Sequence, residues 1–127
     1  MNQNNIPRVV IADDEKHMRL LMKTAITKMN YQVVGQATNG QEAVDLFKKE
    51  RPDLMLLDIN MPFKTGDMAL QEILSQHPDA RIIMLTAVAE METVEKCIDL
   101  GAINYIRKDT PISEITQIIE NTWQAAN

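Results

Sequence analysis

Five residues could do chemistry in this chain: the adjacent acids Asp13 and Asp14, the acid Asp58, the hydroxyl of Thr86 and the ammonium of Lys108. Each closes a short apolar run: VVIA precedes Asp13, DLMLL precedes Asp58, RIIML precedes Thr86, and INYI comes just ahead of Lys108. If those runs are parallel strands, all of these ends share one rim. Ligands of open α/β sheets bind beyond the carboxyl ends of the strands, where the strand order reverses. Here that crevice lies between the first and third strands and is flanked by Asp13, Asp14 and Asp58. Three crowded carboxylates repel one another, so one must hold a proton or a cation must neutralise them. A few oxygen ligands without a dedicated cage suit Mg²⁺, which keeps several waters and favours sites shared with a phosphoryl group. Lys108 can hold a further phosphoryl or carboxylate oxygen. The set is that of a phosphoryl-transfer site, where positioning and charge stabilisation do most of the catalysis.

Taken singly, each residue has a plainer reading. Asp13 and Asp14 could cap a helix N-terminus, Asp58 could be a turn residue and Lys108 a solvated charge. Thr86 alone would be a strand-end hydroxyl, and Tyr105 a half-buried strand aromatic. Their coincidence on one rim favours function.

The elements that position them follow from hydrophobic period. Runs rich in Val, Ile and Leu at 9–12, 33–37, 53–57, 81–85 and 103–106 alternate with helical patterns, as in βα units around a parallel sheet. Met18, Leu21, Met22, Ala25, Ile26 and Met29 predict a helix over 15–29. Asn39 with Glu42 forms a capping-box pattern before a second helix that buries Ala43, Val44 and Phe47, and Pro52 prevents its continuation. Leu70, Ile73 and Leu74 mark a third helix. Met91, Val94 and Ile98 mark a fourth, stopped by Gly101. Thr110 as cap with Pro111 at the first position opens a fifth that buries Ile112, Ile115, Ile118, Ile119 and Trp123, ahead of a polar tail, QAAN. Right-handed crossovers leave few arrangements, and the doubly wound five-stranded parallel sheet in the order 2-1-3-4-5, flavodoxin-like, is the expected one.

Composition bounds the rest. The 127 residues suit one domain over 1–127 with a core of about 7–124. A net charge of -5 argues against direct nucleic-acid binding, which needs a basic stripe. The lone Cys97 excludes an intrachain disulfide and reads as packing. His17 and His77 lack ligand spacing and read as surface residues. Met18, Met22, Met29 and Met84 read as core filling. No apolar run is long enough to cross a bilayer, and no signal-peptide pattern opens the chain, so a cytoplasmic protein without an attached effector domain is expected. Phe63 could either fold inward or help a partner dock.

The chain resembles the receiver domains of two-component response regulators over nearly its whole length. VVIADDE, LLDINMP with the following Gly66, MLTA, and GAINYIRK carry the resemblance. The strand order above is itself known from a chemotaxis receiver, so its agreement with the resemblance is not independent. The resemblance implies that Asp58 takes a phosphoryl group from the phosphohistidine of a histidine kinase or phosphotransfer protein, with Mg²⁺. It implies that Asp14 and Asp58 ligate the ion, that Asp13 acts through metal-bound water, and that the Asn60 carbonyl completes the set. Lys108 would pair with phosphoryl oxygens, the Thr86 hydroxyl would bond the phosphoryl group, and Tyr105 would be the aromatic switch. A downstream protein target or effector domain would read the face of helix four, strand five and helix five, in a monomer or a phosphorylation-dependent dimer.

The chain departs from the family pattern at Lys108-Asp109-Thr110-Pro111, where proline usually follows the lysine. A trans peptide is expected there, with Asp109 adding negative charge near the site. Asn60 and Val88 correspond to positions bordering the path of the hydrolytic water. Valine cannot orient water, so slow loss of phosphate is expected. Two other readings compete. An unphosphorylated pseudo-receiver is kept open by Asp109. A haloacid-dehalogenase-type phosphatase lacks its second Asp, because Asn60 stands two residues after Asp58, and no G-x-G-x-x-G follows the first strand to suggest a dinucleotide site.

Overall fold

A computed structural model describes residues 6–126. In it β1 (Arg8–Ala12), β2 (Gln32–Ala37), β3 (Leu54–Asp58), β4 (Ile82–Thr86) and β5 (Asn104–Arg107) form one parallel sheet in the order β2-β1-β3-β4-β5. The helices are α1 (Lys16–Lys28), α2 (Gly40–Glu50), α3 (Gly66–Gln76), α4 (Met91–Leu100) and α5 (Ile112–Ala126), with a single 3₁₀ turn (Val88–Glu90) before α4. The expected fold and strand order are observed.

Strand side chains alternate between faces, so the sheet feeds two cores. Val10, Ala12, Met55, Leu57, Ile82 and Met84 pack with residues of α2, α3 and α4. Val9, Ile11, Leu54, Leu56, Ile83, Leu85 and Ile106 pack with α1 and α5 on the other side. β3 and β4 are buried along their whole length, which explains their uninterrupted apolar runs.

Several boundaries differ from expectation. β3, β4 and β5 each begin and end one residue later than the apolar runs suggest, which makes Asp58 and Thr86 the last residues of their strands. Asp53 lies outside β3, and its carboxylate accepts the Arg8 N–H at 2.8 Å. In α4 the inward positions are Val94 and Cys97, while Ile98 is exposed. Positions three and four residues beyond Val94 are both compatible with one helical face, and the structure puts the smaller thiol inside. Cys97 is fully buried, as packing requires, and burial pushes its thiol up to about 11. The Asn39 side chain caps α2 by accepting the Glu42 N–H, but Glu42 reaches back to the Thr38 backbone and hydroxyl rather than to Asn39. The Pro111 carbonyl accepts the first helical bonds of α5, from Glu114 and Ile115, so proline sits at the cap itself. α5 runs through Trp123 to Ala126, so most of the supposed tail is helical. Trp123 is half-buried, with the Arg81 guanidinium 5.3 Å from its ring centre. His77 is not a surface residue. It is half-buried and packs its ring 5.1 Å from that of Phe47. Among the described residues no helix is long and apolar enough to cross a membrane.

Candidate functional site at the carboxyl rim of the sheet

Three site residues are held by rungs that continue the ladders beyond the strands. The Asp13 N–H donates to Ala37 O at 3.0 Å, and the Lys108 N–H donates to Thr86 O at 2.8 Å. Next to Asp58, the Ile59 N–H donates to Leu85 O at 3.3 Å. Backbone pairing therefore fixes where these side chains start, before any side-chain contact forms.

The loop between β3 and α3 is tightly clamped. The Gly66 N–H donates to Ile59 O at 2.7 Å, closing the loop at its base. A Cβ on Gly66 would lie 1.9 Å from the Asp58 carbonyl oxygen, so only glycine fits. A Cβ on Gly40, at the start of α2, would lie 2.0 Å from Lys64 O, so α2 backs the same loop from the side. The Lys64 side chain is ion-paired to Glu72 of α3. At the tip, the Lys64 N–H bonds Pro62 O at 2.7 Å across Phe63, whose φ of 67° makes this a γ-turn of the strained hand. Phe63 is 92% exposed, so it does not fold inward.

Asp13, Asp14 and Asp58 each present a carboxylate oxygen within 4.8 Å of the others. Asp13 and Asp58 are buried and Asp14 is exposed. Asp13 Oδ1 accepts the Glu15 N–H at 2.8 Å, so the plainer role at a helix entrance coexists with the cluster. Lys108 Nζ lies 2.9 Å from Asp13 Oδ2 and 3.0 Å from Asp58 Oδ1. Asp58 Oδ1 accepts a long bond from the Asn60 N–H at 3.4 Å, whereas Asp58 Oδ2 and Asp13 Oδ2 are buried with no hydrogen-bond partner.

The charges explain the proton affinities. Burial, then the neighbouring Asp13 carboxylate, pushes Asp58 up to about 7, with Lys108 only partly opposing them. Burial also raises Asp13. For Lys108 burial alone would lower the ammonium, but its bonds to Asp13 and the charge of Asp58 outweigh it and hold the group above its usual range. One ammonium against three carboxylates leaves the pocket short of positive charge. The orphaned Asp58 oxygen beside two further carboxylate oxygens is the donor set a hard divalent cation takes, so the residues fit Mg²⁺.

Thr86 is buried at the end of β4, one position beyond the residue paired with Asp58, but its hydroxyl donates to Ala87 O at 2.8 Å rather than to the cluster. Tyr105 lies on β5 opposite Met84, at the sheet edge and 37% exposed. Asn60 is exposed beside Asp58. Val88 begins the 3₁₀ turn, and its side chain lies outside the described residues. The Lys108 to Asp109 step is trans, since no cis peptide occurs among the described residues. Asp109 departs from expectation. Both its oxygens bond the Arg107 guanidinium, at 3.1 and 2.7 Å, so its charge is compensated locally. Sequence reasoning missed Glu15, whose Oε1 lies 3.1 Å from Lys108 Nζ. Its position directly after the acidic pair was the only available signal.

A doubly wound parallel sheet that gathers acids and a lysine at the end of its central strands defines a module of the receiver type. Comparison with known proteins gives the family: the response regulator receiver domain model matches residues 9–120, and the chain belongs to that family. The chain is 42% identical over 113 residues to the protein CcdB of Bacillus subtilis, covering 89% of this chain and 92% of that one. It is 39% identical over 112 residues to the chemotaxis protein CheY of Thermotoga maritima, covering 88% and 93%. Among solved structures, the Borrelia burgdorferi CheX-CheY complex with BeF₃ and Mg²⁺ matches with a TM-score of 0.86 and 27% identity, over 91% of this chain and 88% of that one. Receiver domains of this family are signalling switches rather than classical enzymes, and they typically use Mg²⁺.

Proposed function

We propose that this chain is a phosphoacceptor switch in which Asp58 takes a phosphoryl group from the phosphohistidine of a histidine kinase or phosphotransfer protein. The observation that carries the reading is Asp58 itself: a strand-end carboxylate, 1% exposed, with one oxygen on Lys108 and the other without a partner. A carboxylate so placed can serve as the nucleophile with one oxygen while the other faces a cation. Asp14, Asp58 and the Asn60 carbonyl would hold Mg²⁺, with Asp13 acting through water. The ion supplies charge neutralisation for the cluster and for phosphoryl oxygens. Lys108 orients Asp58 in the resting site and is placed to take a phosphoryl oxygen.

A charge of about −2 arriving at the rim gives the Thr86 hydroxyl a stronger acceptor than Ala87 O. Its inward turn makes room for Tyr105, which now stands half out at the sheet edge. The face of α4, β5 and α5 would thereby change shape for a downstream protein. A ligand shifts such an equilibrium only by its preference for one state. Asn60 and Val88 set the rate of phosphate loss, which the valine slows. The domain would work in the cytoplasm, as a monomer or as a dimer formed on phosphorylation.

The test is incubation with Mg²⁺ and a small phosphodonor followed by intact mass. The native chain gains one labile phosphate and Asp58→Asn gains none. A folded, metal-supplied native chain that gains nothing would instead be an unphosphorylated interaction module. The feature that favoured that reading, Asp109, has its charge taken up by Arg107.

A further inference from the structure

An ammonium has three N–H donors, and Lys108 has three carboxylate partners: Asp13 Oδ2 at 2.9 Å, Asp58 Oδ1 at 3.0 Å and Glu15 Oε1 at 3.1 Å. Of these contacts only the one to Glu15 has hydrogen-bond geometry, and Asp13 Oδ2 is left without a hydrogen bond, so Glu15 is the carboxylate an incoming phosphoryl oxygen must displace from the ammonium. Asp13 and Asp58 are buried, so breaking either pair would strand a charge away from water. The Glu15 side chain is 60% exposed, so water can replace its bond at little cost. Glu15 is therefore the partner that leaves. Its carboxylate has no competing task in the helix, because it stands at the N-cap of α1 without making a side-chain cap bond.

We infer that Glu15 is a gate on the phosphoacceptor site: it accepts the hydrogen bond that Lys108 donates and places a fourth negative charge at the entrance, thereby selecting against small anionic phosphodonors. A donor protein that presents a cation to Glu15 would open the gate, whereas a free acyl phosphate must displace it unaided. Glu15 is a positioning residue, acting through Lys108 and through its charge. The inference rests on the phosphoacceptor reading above. In the reaction concerned, the phosphorus–oxygen bond to the acetyl group of acetyl phosphate breaks as the bond from phosphorus to an Asp58 oxygen forms. Acetate leaves with the bonding pair, and no other reactant is needed.

The test compares the full native chain with Glu15→Gln and Glu15→Asp in Mg²⁺, measuring initial phosphorylation rates over a concentration series by intact mass. Acetyl phosphate and phosphoramidate, which carries less negative charge at neutral pH, are the two donors. For Glu15→Gln the half-saturating acetyl phosphate concentration should fall about three- to tenfold, the scale of one unit charge at a solvent-facing rim. The phosphoramidate value should move less, and the saturating rate should change little with either donor. Added salt should shrink the difference. Glu15→Asp, which keeps the charge but is too short for the same contact, should fall between the native chain and Glu15→Gln. Unfolding midpoints should stay close to native, as expected for an exposed ion pair, which separates gating from a structural role. Equal half-saturation in native and Glu15→Gln, or a higher value in the variant, overturns the inference. If neither donor phosphorylates the native chain, the phosphoacceptor reading itself has failed and the gate falls with it.

Discussion

Replacing Asp58 with asparagine removes the charge that the folded chain accommodates least well, so the variant should be more stable than the native protein at alkaline pH in the absence of divalent ions. Burial and Asp13 push Asp58 up to about 7 from a usual 3.8. Between those values the folded state binds more protons than the unfolded state, so native stability falls as pH rises through that window. Integrated from about pH 4.5 to about pH 8, a shift of about 3 units at ~1.36 kcal/mol per unit costs the native chain about 3 kcal/mol. Asparagine does not ionise, and Lys108 keeps Asp13 and Glu15 as partners in the variant. The stability difference should therefore grow by about 3 kcal/mol across the window, equivalent to about 10 °C in midpoint for a domain of this size. Urea unfolding of both chains in EDTA, at a series of pH values, measures it directly. Parallel pH profiles, or a native chain more stable than the variant at about pH 8, would refute the reasoning. Adding Mg²⁺ at that pH should then stabilise the native chain in proportion to the logarithm of its concentration, and stabilise the variant less.

Other substitutions probe the remaining features. Phe63→Gly relieves the backbone at φ 67° without losing buried surface, and should raise stability by about 1 kcal/mol in chemical denaturation. Gly66→Ala drives a methyl group into the Asp58 carbonyl and should cost about 3 kcal/mol or more, read as a lowered unfolding midpoint. Asp109→Asn removes a charge that Arg107 already balances, so phosphorylation rates with acetyl phosphate should change by less than about twofold. Val88→Glu should shorten the lifetime of the phosphorylated chain, followed by intact mass over time.

Much of the site was legible because each chemical residue closes an apolar run, and strands lying side by side in parallel turn a common sequence position into a common place in space. Asp13, Asp14, Asp58 and Lys108 meet as their positions at the run ends imply. The pairs that escaped the sequence depend on side-chain reach. Glu15 and Lys108 are 93 residues apart, and nothing local marks them as partners. Arg107 and Asp109 are two residues apart, but pairing required both side chains to turn to the same side of the chain after β5. The exposure of Ile98 was equally hidden, because helical spacing admits both it and Cys97 to the interior and only the fit of α4 against its neighbours decides. His77 looked like a surface residue because its apolar partner, Phe47, belongs to a different helix.

The two walls of the acidic pocket are built from different contacts. On one side, glycines at 40 and 66 let backbone press against backbone, leaving no slack into which the loop after Asp58 could retreat. On the other, the Thr86 backbone is fixed in the sheet, its hydroxyl makes a single bond to Ala87 O, and a short 3₁₀ turn and an aromatic at the open edge of the sheet lie beyond it. In the proposed switch, a push delivered at Asp58 would meet the close backbone packing on the first side and be passed toward β4 and β5.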